Sequence, residues 1–339
     1  MKKLACVVSI LLCVGCNVYD SIQDQVRVED VKNGTLSVSV EYESLATKST
    51  LDYTEYTKEL DEEKFVRDVT VLVFDKSSGK LNACKKVYSA YDQVSFTVTE
   101  GEKTVYALVN GPDLGSVKNI EQMLQQIDDL SSSEIGSDGL AMIGSSDCVV
   151  SADKVAKPIV VVRRLVARVV LKKVTNKLPQ QYGQMTLDCV YLGNANLIQT
   201  LAGEVSGMVN PDGYEDDEKT RPIGKDGAVG ACPAYIYRAS GAEVASGASS
   251  SVKYHMYCQP NKSQTVTCMY LLVTIDGSQY YYRVPLYNGL TANTTHSVEL
   301  EITNLGSPLP PVDDMQRGEI QAIVSIAGWG AGDKYQVEF

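Results

Sequence analysis

Cys16 is the residue of this sequence best placed for chemistry. It closes the run Leu12-Cys13-Val14-Gly15-Cys16, behind Lys2, Lys3 and an apolar stretch from Leu4 to Val14. That stretch has signal-peptide length and is too short to cross a bilayer as a mature helix. A small residue before a cysteine is what a lipoprotein signal peptidase requires, although Cys13 stands where leucine is usual. The reading is therefore a signal peptide over 1–15 and lipidation, with palmitate among the acyl chains, at Cys16. An ordinary secretory leader is the alternative. In both cases residues 1–15 stay outside the fold, and the mature chain is exported, held by acyl chains rather than by a helix.

The other chemistry-bearing residue types are sparse or badly spaced. Six cysteines follow Cys16, and none forms a C-x-x-C pair, which argues against zinc and thioredoxin-type sites. Cys258 and Cys268 flank Asn261-Lys262-Ser263 symmetrically. A hairpin there would oppose them at disulfide distance; two reduced, packed thiols are the favoured alternative. His255 and His296 are the two histidines, too few and too far apart for a His-based metal site. The acidic run Gly213–Lys219 lacks the spaced ligand order of a calcium loop and reads as a solvated loop. Gly328–Gly332 precedes no helix, so it is no phosphate cradle. Tyr280–Arg283 could stack on sugars, but alternating strand faces explain it more simply. No metal, cofactor or catalytic residues are expected, and the chain is read as non-enzymatic.

Composition narrows the class. Net charge is -11 over 339 residues, and -13 once Lys2 and Lys3 are removed. Such a chain would repel nucleic acid. Twenty Tyr and four Phe, with abundant Val and Thr, suit half-exposed strands. About 320 mature residues suffice for two domains.

The elements that must position any site are strands. Leu36, Val38, Val40 and Tyr42 alternate with polar residues, which marks a half-buried strand. A long polar stretch (43–64) then separates it from the next strand (65–75), an unusual spacing within a compact domain. Residues 93–101 and 103–112 read as a hairpin turning at Glu100-Gly101-Glu102. Residues 119–130 read as the one clear helix, capped by Ser116 or Asn119. Residues 157–174 form a strand-rich stretch, and 175–183 resemble a domain junction. Short strands with turn signals fill the rest, giving an all-β chain of antiparallel β-sandwiches.

In order, these pieces resemble the Bacteroidales fimbrillins, the FimA-like subunits of type V pili. The resemblance rests on Cys16, the 34–42 strand before a long loop, 66–81, 106–112, 161–171, 280–307 and 320–329. It implies two tandem transthyretin-like sandwiches with a short helix in the first: 16–48 as a lipidated propeptide with a removable first strand, then domains over 49–175 and 176–339. It further implies an outer-membrane precursor cut by a surface protease in the loop after the first strand. The strand Leu36, Val38, Val40, Tyr42 departs, and a C-terminal strand of another copy or a related pilin fills its groove in an extracellular fimbrium. Two donor candidates stand open: Ile320, Ala322, Val324 and Ile326, or Tyr335, Val337 and Phe339. Both could instead be internal strands.

One departure matters. Fimbrillins are commonly cut after arginine, and here Lys48 precedes Ser49. Either a lysine-tolerant protease cuts at Lys48–Ser49, or the subunit stays uncut as an anchored member or a donor only. A monomeric outer-membrane lipoprotein binding glycans or host proteins is the second reading.

Overall fold

The apolar positions of residues 33–42 alternate because one face of the strand turns inward. In the computed structural model this strand, β1 (Asn33–Tyr42), fully buries Leu36 and Val38, while Val40 and Tyr42 are half-buried. The structure describes residues 32–43, 60–88, 93–130, 135–209, 236–250, 253–261, 266–287, 289–308, 320–329 and 336–338.

The first half of the chain continues with a single 3-10 turn at Glu62–Lys64, then β2 (Asp68–Asp75), β3 (Leu81–Tyr88), β4 (Val94–Thr99) and β5 (Gly101–Val109). Helix α1 (Ile120–Leu124), β6 (Ile127–Asp129), α2 (Ile135–Asp138), β7 (Met142–Val150) and β8 (Ile159–Arg164) follow. Among the described residues, one sheet runs β3-β2-β5-β7-β8-β1-β4. It folds back on itself around Leu36, Val38, Val71, Val105 and Val160. The two edges meet where Asn82 Nδ2 donates to Thr99 Oγ1 at 3.0 Å and Thr99 N–H donates to Asn82 Oδ1 at 3.2 Å. Lys103, 1% exposed, closes that end by reaching Thr99 Oγ1 at 2.7 Å and the carboxylate of Asp75.

Residues 93–112 do not form the expected hairpin. β4 pairs with β1, whereas β5 lies between β2 and β7. Gly101, at φ 113, supports a turn that carries the chain from one layer to the other instead of folding it back onto its neighbour.

The helix is also shorter than its periodicity. Asn119 Oδ1 caps it by accepting from Gln122 N–H at 2.8 Å, and Met123 packs on Leu72, Phe74 and Leu108 of the outer sheet face. Past Leu124 the chain extends as β6 and pairs with β11 (Ala195–Thr200), while Leu130 enters the second core. Ladder bonds and that burial outweigh the propensity of a short isolated helix.

The 157–174 stretch breaks at Leu165-Val166. β8 pairs with β1 and β7, whereas β9 (Ala167–Asn176) pairs with β14 (Tyr254–Cys258) and β17 (Thr294–Ile302). The chain thus changes sheets before the stretch 175–183. The remaining strands are β10 (Met185–Gly193), β12 (Val205–Val209), β13 (Ile236–Val244), β15 (Cys268–Ile275), β16 (Ser278–Pro285), β18 (Ile320–Gly328) and β19 (Gln336–Glu338). A β14-β9-β17-β18-β19 sheet faces a β13-β10-β15-β16 sheet, and a β12-β11-β6 sheet lies beside them. Val169, Leu171, Leu187, Leu271, Val298 and Val324 share the core. Asp276 and Gly277, at φ 47 and 75, make the tight β15–β16 hairpin turn. The all-β, two-sandwich architecture expected from the sequence is therefore present. Among the described residues, its named strands pair antiparallel except for β1 with β8 and β9 with β17.

Candidate functional site: the first strand and the strand before the C-terminus

β1 divides its pairing between two neighbours. Asn33–Val38 run antiparallel to β4, and Ser39–Tyr42 run parallel to β8. It therefore fills a slot between the two strands and supplies Leu36 and Val38 to the core. Gly34 allows the close approach this needs, since a Cβ there would lie 2.5 Å from Ser151 O.

The chain leaves β1 at Glu43 and re-enters the described structure at Leu60. Both feet of that connection are pinned at the junction of the two halves. Glu43 Oε1 pairs with Arg163 Nη2 at 2.7 Å, and its Oε2 accepts from Asn293 Nδ2 at 2.9 Å. Asn293 lies on the approach to β17 with φ 57. Its N–H donates to Val166 O at 2.9 Å, and its carbonyl accepts from Trp329 N–H at 3.0 Å.

The second foot is Glu63, fully buried with Arg168. Arg168 Nη1 donates to both carboxylate oxygens at 2.8 and 2.7 Å. Tyr257 Oη donates to Oε1 at 2.7 Å, while Leu60 N–H and Trp329 Nε1 donate to Oε2 at 2.8 and 3.3 Å. Arg168 Nε also reaches Thr295 Oγ1 at 3.0 Å. The Trp329 ring, 1% exposed, has the guanidinium carbons of Arg164 and Arg168 at 4.7 and 4.6 Å from its centroid, and it stacks on Tyr257 at 5.9 Å. A buried ion pair is tolerable only with its hydrogen bonds made, and the Glu63 carboxylate has four donor groups. Burial and this carboxylate push the Tyr257 phenol well above its ordinary range. Burial holds His255 and His296 down at about 4, with Arg168 lowering His255 further.

The C-terminal candidates differ in how firmly they are held. β18 is an interior strand, paired with β17 from Ile302–Ile320 to Thr294–Gly328, with Ala322 and Val324 buried. Ile320 and Ile326 lie on it by register. β19 is a three-residue edge strand that places Val337 opposite Val324. Tyr335, Phe339, Cys16, Lys48, Ser49 and the acidic run 213–219 lie outside the described residues.

Cys258 and Cys268 are not opposed across a hairpin, in keeping with the favoured reading of two reduced, packed thiols. Cys258 ends β14 against β9 and Cys268 opens β15 against β10, in different sheets, and both side chains are buried and not joined by a disulfide. Burial pushes the Cys258 thiol up to about 12. Tyr281 and Tyr282 are buried in separate clusters, so Tyr280–Arg283 offers no open sugar platform.

Sequence reasoning missed Glu63, Arg168, Asn293 and Trp329. Glu63 sits in a run of charges that reads as solvated loop, and nothing local marks a partner more than a hundred positions away. The one available signal was Trp329, the chain's single tryptophan.

Comparison with known proteins agrees with this architecture. Residues 34–158 match the family model of the major fimbrial subunit protein FimA. The fold is shared with a fimbrilin (FimA) from Porphyromonas gingivalis W83, at TM-score 0.56 and 12% identity over 89% of this chain and 99% of that one. A candidate cell adhesion protein from Parabacteroides distasonis ATCC 8503 gives TM-score 0.63 and 17% identity over 89% and 99%. A fimbrial assembly protein from the same organism gives 0.50 and 12% over 90% and 98%. A search of curated proteins finds no match. The resemblance to fimbrillins read from the sequence thus holds in the first half by family model and across both halves by fold.

Proposed function

We propose that this chain is a structural subunit of a cell-surface fimbrium that assembles by exchanging its first strand. The observation that carries the reading is the placement of β1. It fills a slot between β4 and β8, buries Leu36 and Val38 completely, and is followed by a long polar connection. A strand so attached can be excised without breaking a tight turn. Its loss would leave two unpaired edges and an apolar trough, a template for strand addition.

In this reading Cys16 carries the acyl anchor of an outer-membrane precursor. A surface protease cuts at Lys48–Ser49, and the anchor leaves with residues 16–48, the mature subunit then joining an extracellular fimbrium. The donor is the terminal segment containing Val337. β19 makes three ladder pairs, whereas β18 makes nine and sits inside its sheet, so the terminal segment detaches at far lower cost. Refilling the trough with three to five apolar side chains, at ~1.5–3 kcal/mol each, gives roughly 5–15 kcal/mol before ordering costs of ~1–2 kcal/mol per fixed residue. Main-chain pairing along the groove must supply the remainder.

The test is a truncation. Cells expressing the chain without residues 331–339 should display folded monomer and no high-mass ladder on an unboiled gel. A normal ladder from the truncated chain would refute the assignment of the donor.

A further inference from the structure

The two feet of the 44–59 connection are joined to each other through the end of β18. Glu43 holds the Asn293 side chain, the Asn293 carbonyl holds the Trp329 backbone, and the Trp329 indole reaches Glu63. Three of these groups belong to different parts of the process proposed above. Glu43 travels with β1, Glu63 stays with the body, and Trp329 ends the strand that leads to the terminal segment.

We propose that this chain of contacts is a latch that couples retention of the first strand to the fixing of the strand before the C-terminus. While β1 is in place, Glu43 fixes the Asn293 amide, and with it the carbonyl that receives Trp329 N–H. When β1 leaves, Glu43 leaves too. Asn293 then loses a charge-assisted bond, at a position whose left-handed backbone asparagine adopts more readily than other non-glycine residues, so the loosening comes from the lost side-chain anchor alone. Trp329 keeps its indole contacts to Glu63 and Arg168, so the body of the sandwich survives. What loosens is the backbone at the end of β18, from which the terminal segment departs. A subunit would thus release its own donor segment more readily once its own acceptor groove opens, which disfavours premature joining by precursors that still hold β1. The biological meaning rests on the strand-exchange reading; the coupling itself does not.

The differential contact is small and local, so the readout must be local. Hydrogen exchange over residues 320–329 reports the strand, and acrylamide quenching of Trp329, the single tryptophan, reports its end. Both are read on the purified monomer carrying Cys16→Ser, which needs neither protease nor polymer. Glu43→Ala removes the contact directly. Leu36→Ala loosens β1 from inside the first core, away from the latch, and Val40→Ala is a milder form at a half-buried position should Leu36→Ala fail to fold. The expected result is exchange over 320–329 faster by about tenfold and easier quenching in Glu43→Ala, with the same direction in whichever β1-loosening variant folds. Wild-type exchange over 320–329 in Glu43→Ala overturns the proposal. So does faster exchange of β1 and β4 with residues 320–329 unchanged in Leu36→Ala or Val40→Ala. A failure to polymerise in cells, with the coupling intact in the monomer, would instead count against the function.

Discussion

Glu43 and Asn293 stand 250 positions apart in the chain and 2.9 Å apart in space. The bond ties the exit of the first strand to the second sandwich, so β1 belongs to both halves: its apolar face to the first core, its end to the junction. Excising it would alter more than the groove it fills.

Leu36→Ala should cost about 2–5 kcal/mol, the range for deleting a fully buried leucine side chain in a core that cannot collapse. Urea unfolding of the uncut chain measures it. A loss under 1 kcal/mol would show that β1 adds little to the first core.

Gly34→Ala tests the fit of the same strand. The added Cβ meets backbone at Ser151, which cannot rotate away as a side chain can. Overpacking of this kind costs about 1–3 kcal/mol. Exchange of the β1 and β4 amides should rise, and with it that of residues 320–329, while the rest of the second sandwich core is unaffected.

Much of this strand was legible beforehand. Its period-two alternation fixes the inward face. The adjacency of β4 and β5 misled, because a short turn between two strands does not say whether they share a layer. Residues 127–129 have helical periodicity and become a strand since β11 offers an edge to pair with. The Glu63–Arg168 pair was illegible for a deeper reason: burial of a charge depends on a partner from another sheet, and no local pattern encodes that.

Glu63→Gln should destabilise the chain by about 3–5 kcal/mol, because Arg168 is left buried with its charge unmatched. Glu63→Met combined with Arg168→Met removes both charges and should recover much of the loss. Trp329 fluorescence during urea unfolding reads both variants. Equal losses in the two would assign the cost to packing instead of to the orphaned charge.

Acid should weaken the second sandwich. His255 and His296 are held at about 4 when folded against an ordinary 6.5. Between these values the unfolded chain binds protons that the folded chain refuses. The stability is thus complete above pH 6.5 and lost as pH falls toward 4, by ~3 kcal/mol per histidine. Asp128, raised by burial, acts in the opposite sense and offsets part of the loss. Urea midpoints at pH 7 and pH 4.5 should differ clearly, and His255→Gln with His296→Gln should flatten the difference. A flat wild-type profile would contradict the burial argument.

The central claim is that the first strand is removed when the subunit joins the fimbrium. The direct measurement is the N-terminus of the protein sheared from intact cells, read by mass spectrometry beside an unboiled gel. The account predicts Ser49 at the N-terminus and a high-mass ladder. An acylated Cys16 on a monomer would contradict it and leave an anchored lipoprotein that keeps β1 in place.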